Sequence, residues 1–356
     1  MALPPSLSAA RTILATIAAE VGVSTRTVYR VLNEREGEVW SSASKRGERI
    51  RALAHTLGYK PNLAARSTRT GRFGQVGFVM GMGDSASSFS HVFLKGLHDG
   101  LSTAEIALVA TRMSDELLAS SDRLPAILAS LSVDGLMLLH HKPETAAMRR
   151  ALNRCGLPLV WLNDRRAHDS VCYDDHQAAV DAITRLHALR HRRIAYLGGG
   201  SADHYSSRER EAGYRAAMAA SGLADNVVEL AETAGQSLHE RVEAWLRAAV
   251  ARSAKTRPTA VLCYSGEQAL AIQLAAGRLG IAVPEQLSIV YCAQDEARPA
   301  GLTLSRMYCE SHRLGMASAE MMVRKLAQPR RRQPSVALPY AWWELGTSVA
   351  PPSAPA

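Results

Sequence analysis

The chain has 356 residues, of which 47% are hydrophobic and 21% are charged, so it is long enough for two or three domains with sizeable cores. No stretch approaches the roughly 20 apolar residues of a membrane span. Arg11 and Glu20 also interrupt the apolar N-terminus before any signal-peptide cleavage site. Five widely spaced cysteines without a Cys-x-x-Cys pair argue against a disulfide framework or a zinc site. These features predict a cytoplasmic protein without membrane contact.

The net charge of +9 is concentrated at the N-terminus. Residues 1–75 hold twelve Lys or Arg and five Asp or Glu, whereas the other 281 residues hold thirty and twenty-eight. A small basic module joined to a near-neutral body is typical of a polyanion-binding head. A solvated basic face would carry the same charge, so the order of the residues has to decide between the two.

Three short helices are predicted within this basic module. Apolar residues recur at the helical spacing of three and four over 14–21 and again over 50–57. Gly22 ends the first helix, and Ser24 can cap a second helix by accepting a bond from its free N–H groups. The residues of the second helix that are predicted to face inward are Val28, Val31 and Leu32. This pattern predicts a helix-turn-helix.

The opposite side of the second helix carries residues suited to DNA. Forked guanidinium donors, here Arg26 and Arg30, suit the edge of guanine in the major groove. Short polar side chains suit phosphate oxygens, which fix the register on the duplex without reading its sequence. A solvated helical hairpin with two surface arginines is the alternative. The residues predicted to contact DNA from this region are Ser24, Thr25, Arg26, Thr27, Tyr29, Arg30 and Asn33.

Several short motifs follow one another in the first fifth of the chain. They are AAEVGVS at 18–24, TVYRVLN at 27–33, LGYKPN at 57–62, AARS at 64–67 and RTGR at 69–72, and they lead into VGFV at 76–79. Together they resemble the N-terminal signature of lactose-repressor (LacI/GalR) family regulators, and the resemblance extends over nearly the whole chain. It implies a head that reads a near-palindromic operator. It also implies a homodimer, because two half-sites require two-fold symmetric reading.

The resemblance also implies a hinge after Pro61-Asn62 that inserts a leucine into the minor groove at the operator centre. This sequence has Thr68 at that position, and a small polar residue is a poor wedge for unstacking bases. A serine is usual in the family at Tyr29, so the base-reading face is expected to differ. The hinge residues predicted to contact DNA are Asn62, Ala65, Arg66, Thr68 and Arg69.

From Gln75 onward, apolar runs alternate with helical patterns. The runs predicted as buried strands are 75–82, 106–112, 134–140, 158–164, 193–200, 227–230, 259–265 and 287–292. This alternation predicts parallel sheets covered on both faces, and eight strands suit two doubly wound lobes. Ligands of such folds bind at the carboxyl ends of the strands, here in the cleft between the lobes. The resemblance implies a periplasmic-binding-protein-like body whose strands cross between the lobes.

The predicted fold class is therefore an all-α helix-turn-helix head followed by an α/β two-lobed body. The predicted domains are the head at 1–60, the hinge at 61–73, an effector-binding and dimerisation domain at 74–346, and a disordered tail at 347–356. The first lobe is assigned residues 74–164 plus 295–325, and the second lobe residues 165–294 plus 326–346. The histidines His140, His141, His187 and His191 lack metal-ligand spacing and are expected at the surface or on a second strand.

The effector site is predicted in the cleft. Family regulators use an arginine three residues before a Gly-aromatic pair to grip ligand hydroxyls or a carboxylate, and here that residue is Arg210. A surface arginine in a charged helix is the alternative. Two polar positions of the family are replaced by Ser265-Gly266 and Ala293-Gln294, so a less hydroxylated or an acidic ligand stays open. The residues predicted to bind the effector are Asp84, Ser85, Phe89, Asn163, Asp164, Arg210, Ser265 and Ala293.

The sequence has no phosphate-binding loop, no metal-ligand spacing and no catalytic set, so we predict neither a cofactor, a metal nor an enzymatic activity. The predicted function is DNA-binding regulation, repressor in type. A small molecule, a sugar or sugar derivative, is expected to control operator affinity by closing or opening the body. The alternative is a cytoplasmic solute-binding module or a carbohydrate-related enzyme with a basic appendage.

Overall fold

The computed structural model describes most of the chain. The described residues are 7–33, 45–59, 71–82, 90–199, 204–230, 235–253, 255–293, 298–340 and 342–352. The chain divides into two compact units, Met1–Phe73 and Gly74–Ala356, which we call the head and the body.

The head contains three helices, α1 (Leu7–Val21), α2 (Thr25–Asn33) and α3 (Lys45–Thr56). Their apolar faces meet in one small core, in which one residue from each helix is completely buried: Ile17, Val28 and Ile50. Gly22 has a φ of +69°, a left-handed conformation that costs glycine little because it lacks a Cβ. Three helices and this tight turn confirm the predicted helix-turn-helix. Leu57 lies beyond the end of α3 and is 38% exposed.

The body alternates strands and helices. The strands are β1 (Gln75–Gly81), β2 (Ala107–Met113), β3 (Leu136–Leu139), β4 (Leu159–Leu162), β5 (Ser170–Tyr173), β6 (Ile194–Leu197), β7 (Val227–Val228), β8 (Ala260–Cys263), β9 (Ser288–Ala293), β10 (Ser305–Tyr308), β11 (Val336–Leu338) and β12 (Trp342–Glu344). The helices are α4 (His91–Ser102), α5 (Asp115–Leu118), α6 (Arg123–Leu131), α7 (Ala146–Cys155), α8 (Asp175–Ala188), α9 (Tyr205–Ala220), α10 (Leu238–Val250), α11 (Gly266–Arg278) and α12 (Ser311–Ala327). All eight predicted strands are present.

The strands form two six-stranded sheets, one in each lobe. The first has the order β11-β5-β4-β3-β1-β2, and all its neighbouring strands are parallel. The second has the order β12-β10-β9-β8-β6-β7, and only β12 runs antiparallel to its neighbour. Most of the short central strands are buried along their whole length, as expected for sheets covered by helices on both faces. This topology confirms the doubly wound, two-lobed body.

Close helix packing covers one face of the first sheet. A Cβ added to Gly96 in α4 would lie 2.2 Å from the carbonyl oxygen of His312 in α12. A Cβ added to Gly315 would lie 2.3 Å from the carbonyl oxygen of Phe93. The two glycines therefore permit the helix backbones to touch.

Three strands lie in a different lobe from the one predicted. β5 and β11 belong to the first sheet, and β10 belongs to the second. The chain crosses between the sheets after β5, after β10 and after β11. Each of these strands has only three or four residues, and its sheet is decided by the neighbour with which it pairs. The sequence of a short apolar run does not indicate which strand it will pair with.

The predicted disordered tail is ordered where it is described. Ile289 N donates to Ser348 O at 2.7 Å, and the Ser348 hydroxyl donates to Ile289 O at 2.7 Å. The carbonyl oxygen of Ala350 accepts from the Ser288 hydroxyl at 3.0 Å and lies 2.9 Å from His191 Nε2. The small and proline-rich composition predicted disorder, but the second lobe supplies hydrogen-bond partners for this backbone. Residues 353–356 lie outside the described residues.

Candidate functional site

The second helix of the head, α2, is held in place by its apolar face and by a cap at its N-terminal end. The hydroxyl oxygen of Ser24 accepts a hydrogen bond from Thr27 N at 3.1 Å, which confirms the predicted N-cap. The two hydroxyls of these residues also lie 2.9 Å apart. Val28 is completely buried and Val31 is 9% exposed, so the opposite face of α2 is held towards solvent.

That outer face is the candidate nucleic-acid interface. Ser24, Thr25, Arg26 and Arg30 are exposed, and Thr27 and Tyr29 are half-buried. Six of the seven predicted residues are therefore accessible on α2 or at its N-cap. The side chain of the seventh, Asn33, is not among those that the structure describes. Two guanidinium groups one turn apart can approach adjacent base edges or phosphates.

Two groups of predicted site residues fall outside the described residues. The first comprises the hinge residues Asn62, Ala65, Arg66, Thr68 and Arg69. The second comprises Asp84, Ser85 and Phe89, the predicted wall of the effector site.

The two lobes of the body contact each other through Asn163, which follows β4 of the first lobe. Its backbone has a φ of +51°, a left-handed conformation that asparagine tolerates better than most residues. Its carbonyl oxygen lies 3.0 Å from His204 Nε2, and its Oδ1 accepts a hydrogen bond from the Tyr205 hydroxyl at 3.1 Å. His204 and Tyr205 belong to the start of α9 in the second lobe. We call these three residues the interlobe latch.

The hydrogen bonds of His204 assign it a neutral ring. Its Nδ1 lies 2.7 Å from the Ser206 hydroxyl and accepts from Ser206 N at the start of α9, so this nitrogen carries no proton. Its Nε2 then donates to the carbonyl of Asn163. The Ser206 hydroxyl lies 2.7 Å from the hydroxyl of Tyr264, which extends the network along the second lobe.

A second histidine faces His204 from the first lobe. The ring centroids of His141 and His204 are 4.8 Å apart. Burial, together with the smaller effects of the neighbouring His204 and His140, lowers the pKa of His141 to about 4. Burial also lowers the pKa of His204. The surface alternative is wrong for His140 and His141, which are 6% and 9% exposed. Asp115 and the carbonyl of Lys142 contact the His140 ring within the first lobe, whereas the His204 ring of the second lobe faces His141.

Arg210 lies in a buried cluster at the crossover segments. Its Nε donates to Asp175 Oδ1 at 2.7 Å, and its Nη2 donates to the Tyr340 hydroxyl at 2.8 Å. Tyr340 in turn donates to Asp175 Oδ1 at 2.9 Å. Asp175 follows β5 and Tyr340 follows β11, so Arg210 of the second lobe joins two of the three crossovers. We call these three residues the crossover clamp.

The clamp uses most of the hydrogen-bonding capacity of Arg210. Its Nη1 donates to the carbonyl of Tyr264, and its guanidinium carbon lies 4.4 Å from the centre of that ring. Arg210 is 3% exposed and Asp175 is completely buried. Burial opposes the charge of Arg210, but the attraction of Asp175 raises its pKa well above the usual value. The alternative of a surface arginine is therefore wrong.

The remaining predicted effector residues occupy strand ends. Asp164 binds Arg166, which also lies over the ring of Trp161 at 3.4 Å. Ser265 caps α11 by accepting from Gln268 N. Ala293 ends β9 and is 7% exposed. These residues border the cleft, but their polar atoms already have partners within their own lobe.

The sequence interpretation missed the residues that complete both clusters, which are His141, Asp175, His204, Tyr205, Tyr264 and Tyr340. Asp175 left a usable signal, because it follows a buried strand at a carboxyl end. The aromatic residues left none, since tyrosine is also an ordinary core residue. Across the described residues, no three or more His, Cys, Asp or Glu are grouped to hold a metal ion, and no helix is long and apolar enough to cross a bilayer.

Known proteins match both the sequence and this architecture. A family model for a periplasmic binding protein-like domain matches residues 183–349. Over 316 residues the chain is 24% identical to the HTH-type transcriptional repressor PurR of Photobacterium profundum, covering 87% of this chain and 90% of that protein. The Lac repressor dimer bound to operator and the anti-inducer ONPF has a TM-score of 0.71 at 18% identity, covering 94% of this chain and 98% of that one.

Over most of its length the chain is thus similar to transcriptional regulators of the lactose-repressor type. A further structure of similar fold is that of the transcriptional regulator CelR in complex with cellobiose, with a TM-score of 0.61 at 22% identity over 97% of this chain and all of that one. This chain has the arginine that the resemblance implies, Arg210, but holds it in a buried ion pair.

Proposed function

We propose that this chain is a lactose-repressor-type, sequence-specific DNA-binding transcriptional regulator, repressor in type, whose operator affinity is controlled by a small effector between the lobes of the body. The observation that carries the DNA-binding part is the outer face of α2. That face presents Arg26 and Arg30 to solvent while Val28 and Val31 fix the helix on its core. The helix N-terminus adds donors for phosphate oxygens.

The regulator is proposed to act as a homodimer in the cytoplasm, where its DNA lies. A near-palindromic operator presents two half-sites related by a two-fold axis, and a two-fold symmetric dimer matches them. Support for an operator comes from the similar Lac repressor dimer, which was solved bound to one. The proposal includes no catalytic activity, which sets it apart from a carbohydrate-related enzyme with a basic appendage.

A selection of random duplexes on the purified chain at near-physiological salt tests the DNA-binding part. A two-fold symmetric enriched motif is the expected result. Binding without enrichment, lost as salt rises, would mean that only the phosphate contribution is present. The proposal would then be wrong, and the solute-binding alternative would replace it.

The effector is proposed to be an uncharged, hydroxylated molecule, a sugar or sugar derivative. Asp175 cancels the charge of Arg210, and the lowered pKa values of His141 and His204 leave both rings neutral near pH 7. The second carboxylate oxygen of Asp175 is buried without a hydrogen-bond partner among the described residues. A ligand hydroxyl would satisfy it. The similar CelR structure contains cellobiose, which is also uncharged and hydroxylated.

The proposed control acts through the interlobe latch. A ligand shifts the equilibrium between open and closed bodies only by its difference in affinity for the two. Asn163, His204 and Tyr205 make polar contacts between the lobes, so a ligand that adds to these contacts favours the lobe arrangement of this structure, and one that replaces them favours opening.

A thermal-shift panel tests the effector class. Neutral sugars, sugar acids and sugar phosphates are compared at equal concentration. A neutral ligand at 100 times its Kd adds about 2.7 kcal/mol to the free energy of unfolding, which raises Tm measurably. Stabilisation by the anionic ligands alone would contradict the proposed neutral site. In Asn163→Ala the shift produced by the same neutral ligand is expected to change, because the latch has lost Oδ1, the acceptor for the Tyr205 hydroxyl.

A further inference from the structure

The segment between α12 and β11 presents three consecutive arginines. Its sequence is QPRRRQ at 328–333, and we call it the arginine loop. Arg330, Arg331 and Arg332 are all exposed. Neither Arg330 nor Arg332 has an ion-pair partner among the residues that the structure describes. Many other arginines of the body do have carboxylate partners, such as Arg149 with Glu144.

Buried groups hold the backbone of the arginine loop in place. Lys325 is 6% exposed, and its Nζ donates to Asp169 Oδ2 at 3.0 Å and to the carbonyl of Arg331 at 2.9 Å. Asp169 Oδ1 accepts from Gln333 N at 2.9 Å. Arg331 N donates to Gln328 O at 3.0 Å, which closes a turn. The one acidic side chain that supports the loop is thus used by Lys325 and the backbone, and it leaves the arginine side chains to solvent.

The loop lies at the amino edge of the first sheet. All strands of that sheet are parallel, so the starts of β11 and β1 lie at the same edge. The body begins there, since Gly74 precedes β1 and its N–H donates to Asp134 at 2.7 Å. Four strand spacings separate β11 from β1, which is about 19 Å at 4.8 Å per strand. The arginine loop is therefore near the point where the chain leaves towards the head.

The charge along this edge is mostly positive. Exposed Arg154 ends α7, one connection before β4, and exposed Arg324 lies one turn before the loop beside Glu320 at 3.9 Å. The carboxylate of Asp134 accepts from Gly74 N. Exposed Glu105 is an acidic residue at the same edge, two residues before β2 and close to Gly74, whose carbonyl oxygen accepts from Ala107 N at 2.9 Å.

We propose that the arginine loop binds the phosphate backbone of DNA that flanks the operator. This inference rests on the proposed DNA-binding function of the head. The head and the arginine loop belong to one chain, and the fourteen residues 60–73 that connect the two units span about 50 Å when fully extended. Guanidinium groups on a fixed loop contact phosphates with little loss of backbone freedom. The contact does not read sequence, because phosphates are the same at every base pair.

The proposal predicts a specific salt dependence. Each neutralised phosphate contributes about 0.9 to the slope of log K against log salt. Three loop arginines in contact with phosphates would therefore contribute up to about 2.7 to that slope. This contribution requires flanking DNA and is expected to be absent on a duplex that ends at the operator.

The test compares a loop variant with a charge-matched control. The loop variant is Arg330→Gln, Arg331→Gln and Arg332→Gln; the control is Arg247→Gln, Arg252→Gln and Lys255→Gln, which are exposed residues at and beyond the end of α10 in the second lobe. Both remove three positive charges. Each full-length protein is titrated against the selected operator, alone and extended by about 15 base pairs, or ~50 Å, on each side at 3.4 Å per base pair.

The expected result is a loss of tenfold or more in affinity, with a shallower salt slope, for the loop variant on the extended duplex only. The control variant and the unaltered chain are expected to agree on both duplexes. Equal affinities and slopes for the loop variant and the control on the extended duplex would overturn the inference, and a protein partner would then be the better explanation of the loop. Failure of the unaltered chain to select any operator would instead overturn the proposed function. Equal melting temperatures confirm that both variants are folded.

Discussion

The head and the body place their arginines in opposite environments. Arg26 and Arg30 lie on the outer face of a nine-residue helix, where both are exposed to solvent. Arg210 lies inside the body, paired with Asp175 and Tyr340. An exposed guanidinium can bind an external anion, whereas a buried and paired one mainly holds its own protein together. Arginine therefore indicates DNA recognition in the head, whereas Arg210 in the body joins segments of its own chain.

The largest expected effect comes from breaking the crossover clamp. Arg210→Ala leaves the carboxylate of Asp175 buried without its partner and is expected to lower the free energy of unfolding by about 3–5 kcal/mol. Urea unfolding measures this change. The control is Arg215→Ala, an exposed residue whose partners are Glu211 and Asp225 and whose loss should cost about 1 kcal/mol or less. Similar small losses for both variants would show that the clamp is not a stabilising connection between the crossovers.

The second largest effect is expected from low pH, which lowers the free energy of unfolding of the body. The pKa of His141 is about 4 in the folded chain against 6.5 for an ordinary histidine, so the unfolded state binds more protons between these values. Stability is therefore complete above pH 6.5 and falls as the pH drops towards 4, by about 3 kcal/mol for this residue. Urea unfolding at successive pH values measures the loss.

Carboxylates also contribute to acid unfolding, so the comparison with His141→Asn isolates the histidine. The variant should show a smaller loss of stability between pH 6.5 and 4 than the unaltered chain. Parallel pH profiles for the two proteins would contradict a buried neutral His141. The second lobe contains a further buried histidine, His191, whose pKa burial also lowers to about 4, and its contribution stays in both profiles.

Substitution of an arginine in the head is expected to change DNA binding and to leave the free energy of unfolding unchanged. Arg26→Ala is expected to lose about 1–3 kcal/mol of discrimination at one position of each half-site, because an exposed side chain that reads a base is removed. Competition binding with single-substituted operators measures it. Unfolding of the variant should match that of the unaltered chain. A uniform loss across all operators would assign Arg26 to phosphate instead of a base.

The smallest effect is expected at the helix cap. Ser24→Ala removes the acceptor for Thr27 N and should destabilise the head by about 1 kcal/mol. Thermal unfolding of the full chain, followed at the head, measures the change. Ser24→Gly is the matched variant, since glycine at this position costs only a few tenths of a kcal/mol. Equal losses for alanine and glycine would argue against the cap.

The sequence alone determined the local structure of this protein. The helical spacing in 14–21, Gly22 and Ser24 predicted the helix-turn-helix, because a helix, its end and its cap depend on residues within a few positions of one another. The alternation of apolar runs and helical patterns predicted the doubly wound body for the same reason. The family resemblance pointed to Arg210 and Asn163 by position.

Only the tertiary structure decided what those two residues contact. Arg210 meets Asp175 at a separation of 35 residues and Tyr340 at 130, and Asn163 meets Tyr205 at 42. The same holds for β5, β10 and β11, whose lobes depend on which strand pairs with them. The spacing of residues along the chain predicts helices and strands. It does not predict which distant segments the crossovers bring together, because those contacts form only when the whole body packs.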